Sequence, residues 1–261
     1  MIKKITSLVL LLFITYTSFA EERVPEQGGG ERISHTFVIV HGASGGGWDW
    51  KTVAQLLTTK QHTVYRPTLT GLGEKHHLNH ADINLTTHIN DVVNLIVFED
   101  LHNVVLVGHS YGGMVITGVM DRIPERIQHV TLLDAVVPDD GMSMVEGQVL
   151  AAELKVINGF IHFPWLDTSL PFPRDVVQSL HTFTEPVSYK NPEALKLDVS
   201  YVAFIPKGMS IAKRAADPSW LRAKKRHWTM RTFEGNHVVY RTKPVAFTAM
   251  LEDTVDDRNT R

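Results

Sequence analysis

The chain has 261 residues, 43% hydrophobic and 21% charged, which is enough to bury a full core and too apolar for a disordered segment. Its formal net charge is -2, with no long basic run, which argues against a nucleic-acid partner. It has no cysteine, which rules out disulfides, thiolate metal sites and a cysteine nucleophile.

In chain order, the first twenty residues read as a secretory signal. Lys3 and Lys4 give a positive start, and Ile5 to Tyr16 is an apolar run too short to span a bilayer comfortably. Ser18-Phe19-Ala20 places small residues where a signal peptidase reads, so cleavage is expected after Ala20. The mature protein is then periplasmic or secreted, with no stable membrane association. Without a cysteine after the apolar run, lipid attachment there is excluded. Residues 21–35, with Gly28-Gly29-Gly30, read as a flexible lead-in to a domain over 36–261.

Thr36 to Val40 is the first clear strand. His41 to Gly47 follows as a glycine-rich loop, then a helix from about Trp48 to Thr59. Thr63 to Arg66 is a short strand ending at Pro67, and Leu69 to Gly73 is a loop. Leu85, Ile89, Val92, Val93 and Ile96 form a helical stripe over Leu85 to Phe98. Val104 to Val107 reads as a buried strand, Met114 to Arg122 as a helix, and Val130 to Leu133 as the next strand. From Asp139 the alternation stops, and prolines and aromatics become dense. A connection of this length is expected to be a functional insertion, a cap or lid over about 139–198. Val199 to Ile205 resumes as a strand, followed by a helix at Pro218 to Arg226. Trp228 to Phe233 is the last strand and Lys243 to Val255 the closing helix. Alternating strands and helices predict an α/β fold with a mostly parallel, doubly wound sheet.

Gly108-His109-Ser110-Tyr111-Gly112 falls between a predicted strand and a predicted helix. A G-x-S-x-G turn at that junction is tight enough to strain the serine backbone and expose its hydroxyl above the sheet. Backbone N–H groups at the helix start can then meet an oxyanion. A serine hydroxyl needs a base within hydrogen-bond reach, and that base needs an orienting acid. His237 follows the last strand, in a glycine-containing loop at the carboxyl edge where the turn opens. None of the other histidines after Ser110 stands in such a place. For the acid, the loop Pro206 to Ser210 after the second-to-last strand holds no Asp or Glu. Asp134 ends the strand before it, where a carboxylate is expensive unless paired. Asp217 is the alternative, although it stands at a helix start and reads as an N-cap. Glu234 is close to His237 along the chain and is third.

The expected oxyanion donors are the N–H of Tyr111 and one from the first loop, Ala43 ahead of Ser44. Ser44, His109, Phe163 and Trp165 are the candidate substrate contacts. His76, His77 and His80 sit in a polar loop and read as a solvated rim, so no metal is expected. Trp48 reads as a core residue.

Phe37 to Ala43 with Gly46-Gly47-Trp48, Thr68 to Gly73, Val105 to Val115, and Leu133-Asp134-Ala135 with Pro138 carry a resemblance. The chain resembles α/β-hydrolases of the small esterase group that includes plant methylesterases, hydroxynitrile lyases and bacterial pyrethroid-type esterases. The resemblance implies the α/β-hydrolase fold and a serine carboxylic-ester hydrolase without cofactor, acting on small to medium apolar esters through an acyl-enzyme. The chain departs from the pattern around Lys207 to Met209, where many members carry the acid. It also has Gly42 and Val238 where the lyases carry Thr and Lys, which favours hydrolysis. A lyase-like enzyme, or a non-catalytic small-molecule binding protein on the same scaffold, are the alternatives.

Overall fold

The structure, a computed structural model, describes residues 33–147 and 154–256. The expected signal 1–20, and the lead-in up to residue 32, lie outside the described residues. Strand and helix alternate first: β1 (Thr36–Val40), α1 (Lys51–Thr59), β2 (Thr63–Tyr65), α2 (Leu85–Phe98), β3 (Val104–His109), α3 (Gly112–Arg122) and β4 (Ile127–Leu133). The connection after β4 is irregular. It carries α4 (Met144–Gly147), three two-residue strands, β5 (Val156–Ile157), β6 (Phe160–Ile161) and β7 (Gln178–Ser179), and α5 (His181–Thr184). Then come β8 (Val199–Ile205), α6 (Ile211–Arg214), α7 (Pro218–Lys225), β9 (Thr229–Glu234), α8 (Val239–Thr242) and α9 (Pro244–Asp256).

The main sheet is parallel throughout, in the order β2-β1-β3-β4-β8-β9. Its inner strands, β1, β3, β4 and β8, are buried on both faces because helices cover both. In β1, Val38 and Val40 enter one core while Phe37 and Ile39 enter the other; in β3, Leu106 and Val107 divide in the same way. The stripe of α2, with Leu85, Ile89, Val92 and Ile96, fills the first core together with α3. Trp50, with Val53 and Leu57 of α1 and Phe247 and Leu251 of α9, fills the second. Each such side chain, taken fully out of water, contributes about 1.5–3 kcal/mol.

This order explains where a site can form. From β1 the chain steps outward to β2, then returns across β1 to β3. The two crossover helices, α1 and α2, therefore lie on opposite faces. A crevice is left above the carboxyl ends of β1 and β3, the usual ligand position in an open α/β sheet.

Two sequence expectations are corrected. Helix α3 begins at Gly112, two residues before the expected Met114. Glycine's poor helix propensity concealed the first turn. Packing demands glycine there, since a Cβ on Gly112 would lie 2.6 Å from the Val40 carbonyl oxygen, and one on Gly113 2.1 Å from that of Val136. The second concerns the two tryptophans. Trp50 is the core residue, fully buried and stacked 4.2 Å from Tyr240, whereas Trp48 is half-buried and lines a surface recess. One turn of 3-10 helix, Gly47–Trp50, precedes α1 and points the two rings differently.

Three buried histidines stand beneath the crevice. His41 donates from Nδ1 to the Gly42 carbonyl at 2.7 Å and accepts from the Leu69 amide at Nε2. His88 donates from Nε2 to the Thr70 carbonyl and accepts from the Tyr111 hydroxyl, both at 2.9 Å. His109 donates from Nε2 to the His237 carbonyl at 2.8 Å. Burial lowers all three, His41 to about 4 and His88 and His109 to about 3.

Two predictions follow from this packing. Gly113→Ala places a methyl group against a backbone oxygen, so a loss of at least about 3 kcal/mol, or no soluble protein, is expected by chemical denaturation. The histidines predict acid sensitivity. Their folded values lie below the unfolded 6.5, so the unfolded chain takes up protons first as pH falls. Stability holds above pH 6.5 and declines from there toward the folded values. Each histidine costs about 2 kcal/mol at pH 5. Urea midpoints at pH 7.5 and 5.0 measure this, and equal midpoints would refute it.

Candidate active site

Ser110 sits at the turn between β3 and α3 with φ 54, in the left-handed region that non-glycine residues rarely adopt. Its backbone is held firmly there. The Ser110 amide donates to the Leu133 carbonyl at 3.2 Å, and the Ser110 carbonyl accepts from the Gly113 and Val136 amides, each at 3.0 Å. Strain at a position so fully determined by its neighbours is how a tight turn presents a side chain. Ser110 lines a cavity of about 390 Å³.

His237 lines the same cavity and is half-exposed. Its Nδ1 lies 2.6 Å from Asp134 Oδ2, which places the proton on Nδ1 and leaves Nε2 free to act as a base. Its backbone carbonyl accepts from His109, whose ring lies 4.6 Å from the His237 ring. One neutral histidine thus anchors the loop that carries the other.

Asp134 follows β4 and also has a positive φ, 46. Its amide donates to the Val202 carbonyl at 2.8 Å, and its Oδ1 accepts from the Phe204 amide at 3.2 Å. Oδ1 also pairs with Arg214 Nη2. Burial works against ionisation. The hydrogen bond and charge of His237, with the Arg214 guanidinium, outweigh it and hold the carboxyl below the usual range. Arg214 bridges onward to Asp217 through Nη1 at 3.0 Å. Asp217 caps α7, accepting from the Ser219 amide at 2.8 Å. The alternative acid therefore stands on the far side of Arg214 from His237. Glu234 is largely exposed and faces Lys243.

Ala43, the expected oxyanion donor, and His109 and Trp165, two of the expected substrate contacts, line the Ser110 cavity. Among the described residues, the amides of Ala43 and Tyr111 form no hydrogen bond to protein. Ser44 and Phe163 stand behind the wall instead. Ser44 is fully buried, with its hydroxyl accepting from Trp165 Nε1 at 3.0 Å. Phe163 is buried and stacks on Trp165 at 4.6 Å. Both lost their expected contact for the same reason, since a small polar and a large apolar side chain are each needed to support one tryptophan. No cluster among the described residues could hold a metal ion.

Sequence reasoning missed Arg214, Asp175 and the Asp49–Arg241–Tyr240 group. Arg214 is 80 residues from its partner, and Asp49 is 192 from Arg241. No local period reports such pairs. An unmatched aspartate at a strand end was the available signal for a cation.

The pattern of the Alpha/beta hydrolase family matches residues 37–253. A carbendazim hydrolyzing esterase of Nocardioides sp. (strain SG-4G) is 50% identical over 109 residues, 42% of this chain and 45% of that protein. Methylesterase 2 of Arabidopsis thaliana is 32% identical over 111 residues, 42% of each chain. The matched segments thus span less than half the length of these relatives. An extracellular alpha/beta-hydrolase from a Paenibacillus species superposes with a TM-score of 0.64 at 21% identity, covering 84% of this chain and 98% of that one. With the family pattern matching residues 37–253, from β1 into α9, the chain belongs to the alpha/beta hydrolase family.

Proposed function

We propose that the chain is a serine carboxylic-ester hydrolase with Ser110 as nucleophile, His237 as base and Asp134 as orienting acid. The 2.6 Å contact between His237 Nδ1 and Asp134 Oδ2, beside Ser110 on one cavity, carries the reading. Two relatives named for ester cleavage support it. Ser110 Oγ adds to the ester carbonyl carbon while its proton passes to His237 Nε2. The Ala43 and Tyr111 amides receive the oxyanion. Collapse breaks the bond to the alcohol oxygen, which takes the proton from His237. Water then adds to the acyl-enzyme with His237 again as base, releasing the acid and restoring Ser110. Asp134 stays ionised throughout and holds the tautomer. The cavity, with Trp165 and Leu170 on its wall, suits a small to medium apolar ester.

Cyanohydrin chemistry is less well served. A Cβ on Gly42 would come 3.1 Å from both Ser110 Cβ and His109 Nδ1, so a threonine there would crowd the nucleophile. Export is part of the proposal, on Lys3, Lys4 and the apolar run that ends at Ala20. Amino-terminal sequencing of secreted protein should begin at Glu21.

The reading is tested with short p-nitrophenyl esters. Ser110→Ala should lose activity to background, and Asp134→Asn should lose about 10⁴ in kcat by disturbing the tautomer. An Asp134→Asn enzyme near native, beside a dead Ser110→Ala, would move the acid elsewhere. Arg214→Met leaves the Asp134 carboxylate short of its cation. It should cost about 3–5 kcal/mol of stability, read by denaturation, while retaining more activity than Asp134→Asn.

A further inference from the structure

The wall of the Ser110 cavity holds two carboxylates in unlike surroundings. Asp49 is fully matched. Arg241 grips it through Nε at 2.5 Å and Nη2 at 2.7 Å, and the Tyr240 hydroxyl donates to it at 2.5 Å. That fork uses the guanidinium's best donors, so the charges of Asp49 and Arg241 largely cancel.

Asp175 has no such partner. Among the described residues it forms no ion pair, and the polar side chain set against its burial is the Ser44 hydroxyl. That hydroxyl oxygen is already accepting from Trp165 Nε1, so its one proton is free to point at Asp175. Burial raises the Asp175 carboxyl above the usual range. The more distant Arg241 and the Ser44 hydrogen bond oppose this, while the charge of Asp49 adds to it. A carboxylate offers about four acceptor positions. Most of those on Asp175 are unused, at a place where water is partly excluded and unmet acceptors are costly. Asp175 also borders an adjoining recess of about 280 Å³, shared with Trp48 and Pro173. It therefore stands where a substrate long enough to leave the Ser110 cavity would pass.

We propose that Asp175 is a specificity residue, selecting esters that carry an ammonium or other N–H donor a few bonds from the scissile carbonyl. The inference rests on the ester-hydrolase reading above and refines its substrate class. A positive group in the cavity supplies the donors that Asp175 lacks. It also neutralises a wall left one charge negative once Asp49 and Arg241 are paired. Trp165, on the same wall, adds an aromatic ring of the kind that attracts cations.

The test uses matched esters differing only in the amine. Benzyl acetate is compared with 4-(aminomethyl)benzyl acetate, and methyl phenylacetate with methyl 4-(aminomethyl)phenylacetate. The readout is the ratio of kcat/KM for the ammonium ester to that for its neutral partner. Misfolded enzyme cancels in this ratio. The native chain should favour the ammonium member of at least one pair by about tenfold or more, as expected of a hydrogen bond to a charged group. Asp175→Asn should bring that ratio close to one, mainly through KM, and Asp175→Glu should restore part of it. A native ratio at or below one in both pairs, or a ratio unchanged in Asp175→Asn, would overturn the proposal. Calorimetric binding of the same pairs to Ser110→Ala separates the two readings. Tenfold tighter ammonium-ester binding that Asp175→Asn abolishes would sustain the Asp175 role even if no ester is turned over. Equal binding within each pair would sink it. Failure to cleave any ester would count against the hydrolase reading alone.

Discussion

The site depends on one buried carboxylate and on how its charge is met. Asp134 ends an apolar strand between β3 and β8, where a bare ion would be expelled or neutralised. Its two oxygens are divided between two tasks. Oδ2 faces His237, and Oδ1 takes the Phe204 amide and Arg214. The Arg214 contact is structural, since it joins the end of β4 to α6, the helix that follows β8, and passes on to the cap of α7. It also keeps Asp134 ionised, so that the carboxylate remains an acceptor for His237. An acid held this far from protonation orients a base well and competes poorly for its proton, which suits an orienting role.

Proton placement around Ser110 follows from backbone carbonyls. A carbonyl can only accept, so each histidine bonded to one has its tautomer fixed. His109 must carry its proton on Nε2 because it faces the His237 carbonyl, and His88 must do so because it faces that of Thr70. His88 in turn holds the hydroxyl of Tyr111, the residue whose amide is the proposed oxyanion donor. Burial keeps these rings neutral, so in the proposed mechanism the proton that leaves Ser110 has the half-exposed His237 as its acceptor. The same burial makes the fold sensitive to acid. One arrangement thus serves a defined proton inventory and limits the pH range of stability.

The strand–turn–helix at Ser110, the helical stripe of α2 and the order of nearly every main-sheet element were legible in the sequence. Each rests on a local period or a local steric rule. Asp134 was legible for a different reason, as a charge placed where charge is costly. What completes that charge was not, because Arg214 reaches it from a helix that nothing nearby in sequence announces. The roles of Ser44 and Phe163 were also beyond local reasoning. Proximity to Ala43 or membership in an aromatic stretch does not distinguish a wall residue from one that supports the wall. Trp48 and Trp50 show the same limit, since one turn of 3-10 geometry decides which ring enters the core.

The connection between β4 and β8 bears on whether it can act as a lid. Every polar group of Ser44 is engaged by that connection. Its amide donates to Gln178 Oε1 at 2.8 Å, its carbonyl accepts from the Val176 amide at 2.9 Å, and its hydroxyl accepts from Trp165. Ser44 is fully buried and held at φ 61, next to the proposed donor Ala43. Swinging this part of the connection away would orphan several buried groups, each at about 1–3 kcal/mol. It would also release the strained backbone that sets the Ala43 amide. Farther along, Thr86 is tied to Glu185, and Asp121 accepts from the Lys190 and Asn191 amides at 2.7 Å each. Those bonds fasten the connection to α2 and α3 at points away from the cavity. Access to Ser110 is therefore better served by local movement of exposed side chains at the rim, Leu170 among them, than by hinging the whole segment. On this argument the connection is part of what holds the Ala43 loop in shape, and under the proposed mechanism the wall that meets a substrate is one that the oxyanion donors already require to stay in place.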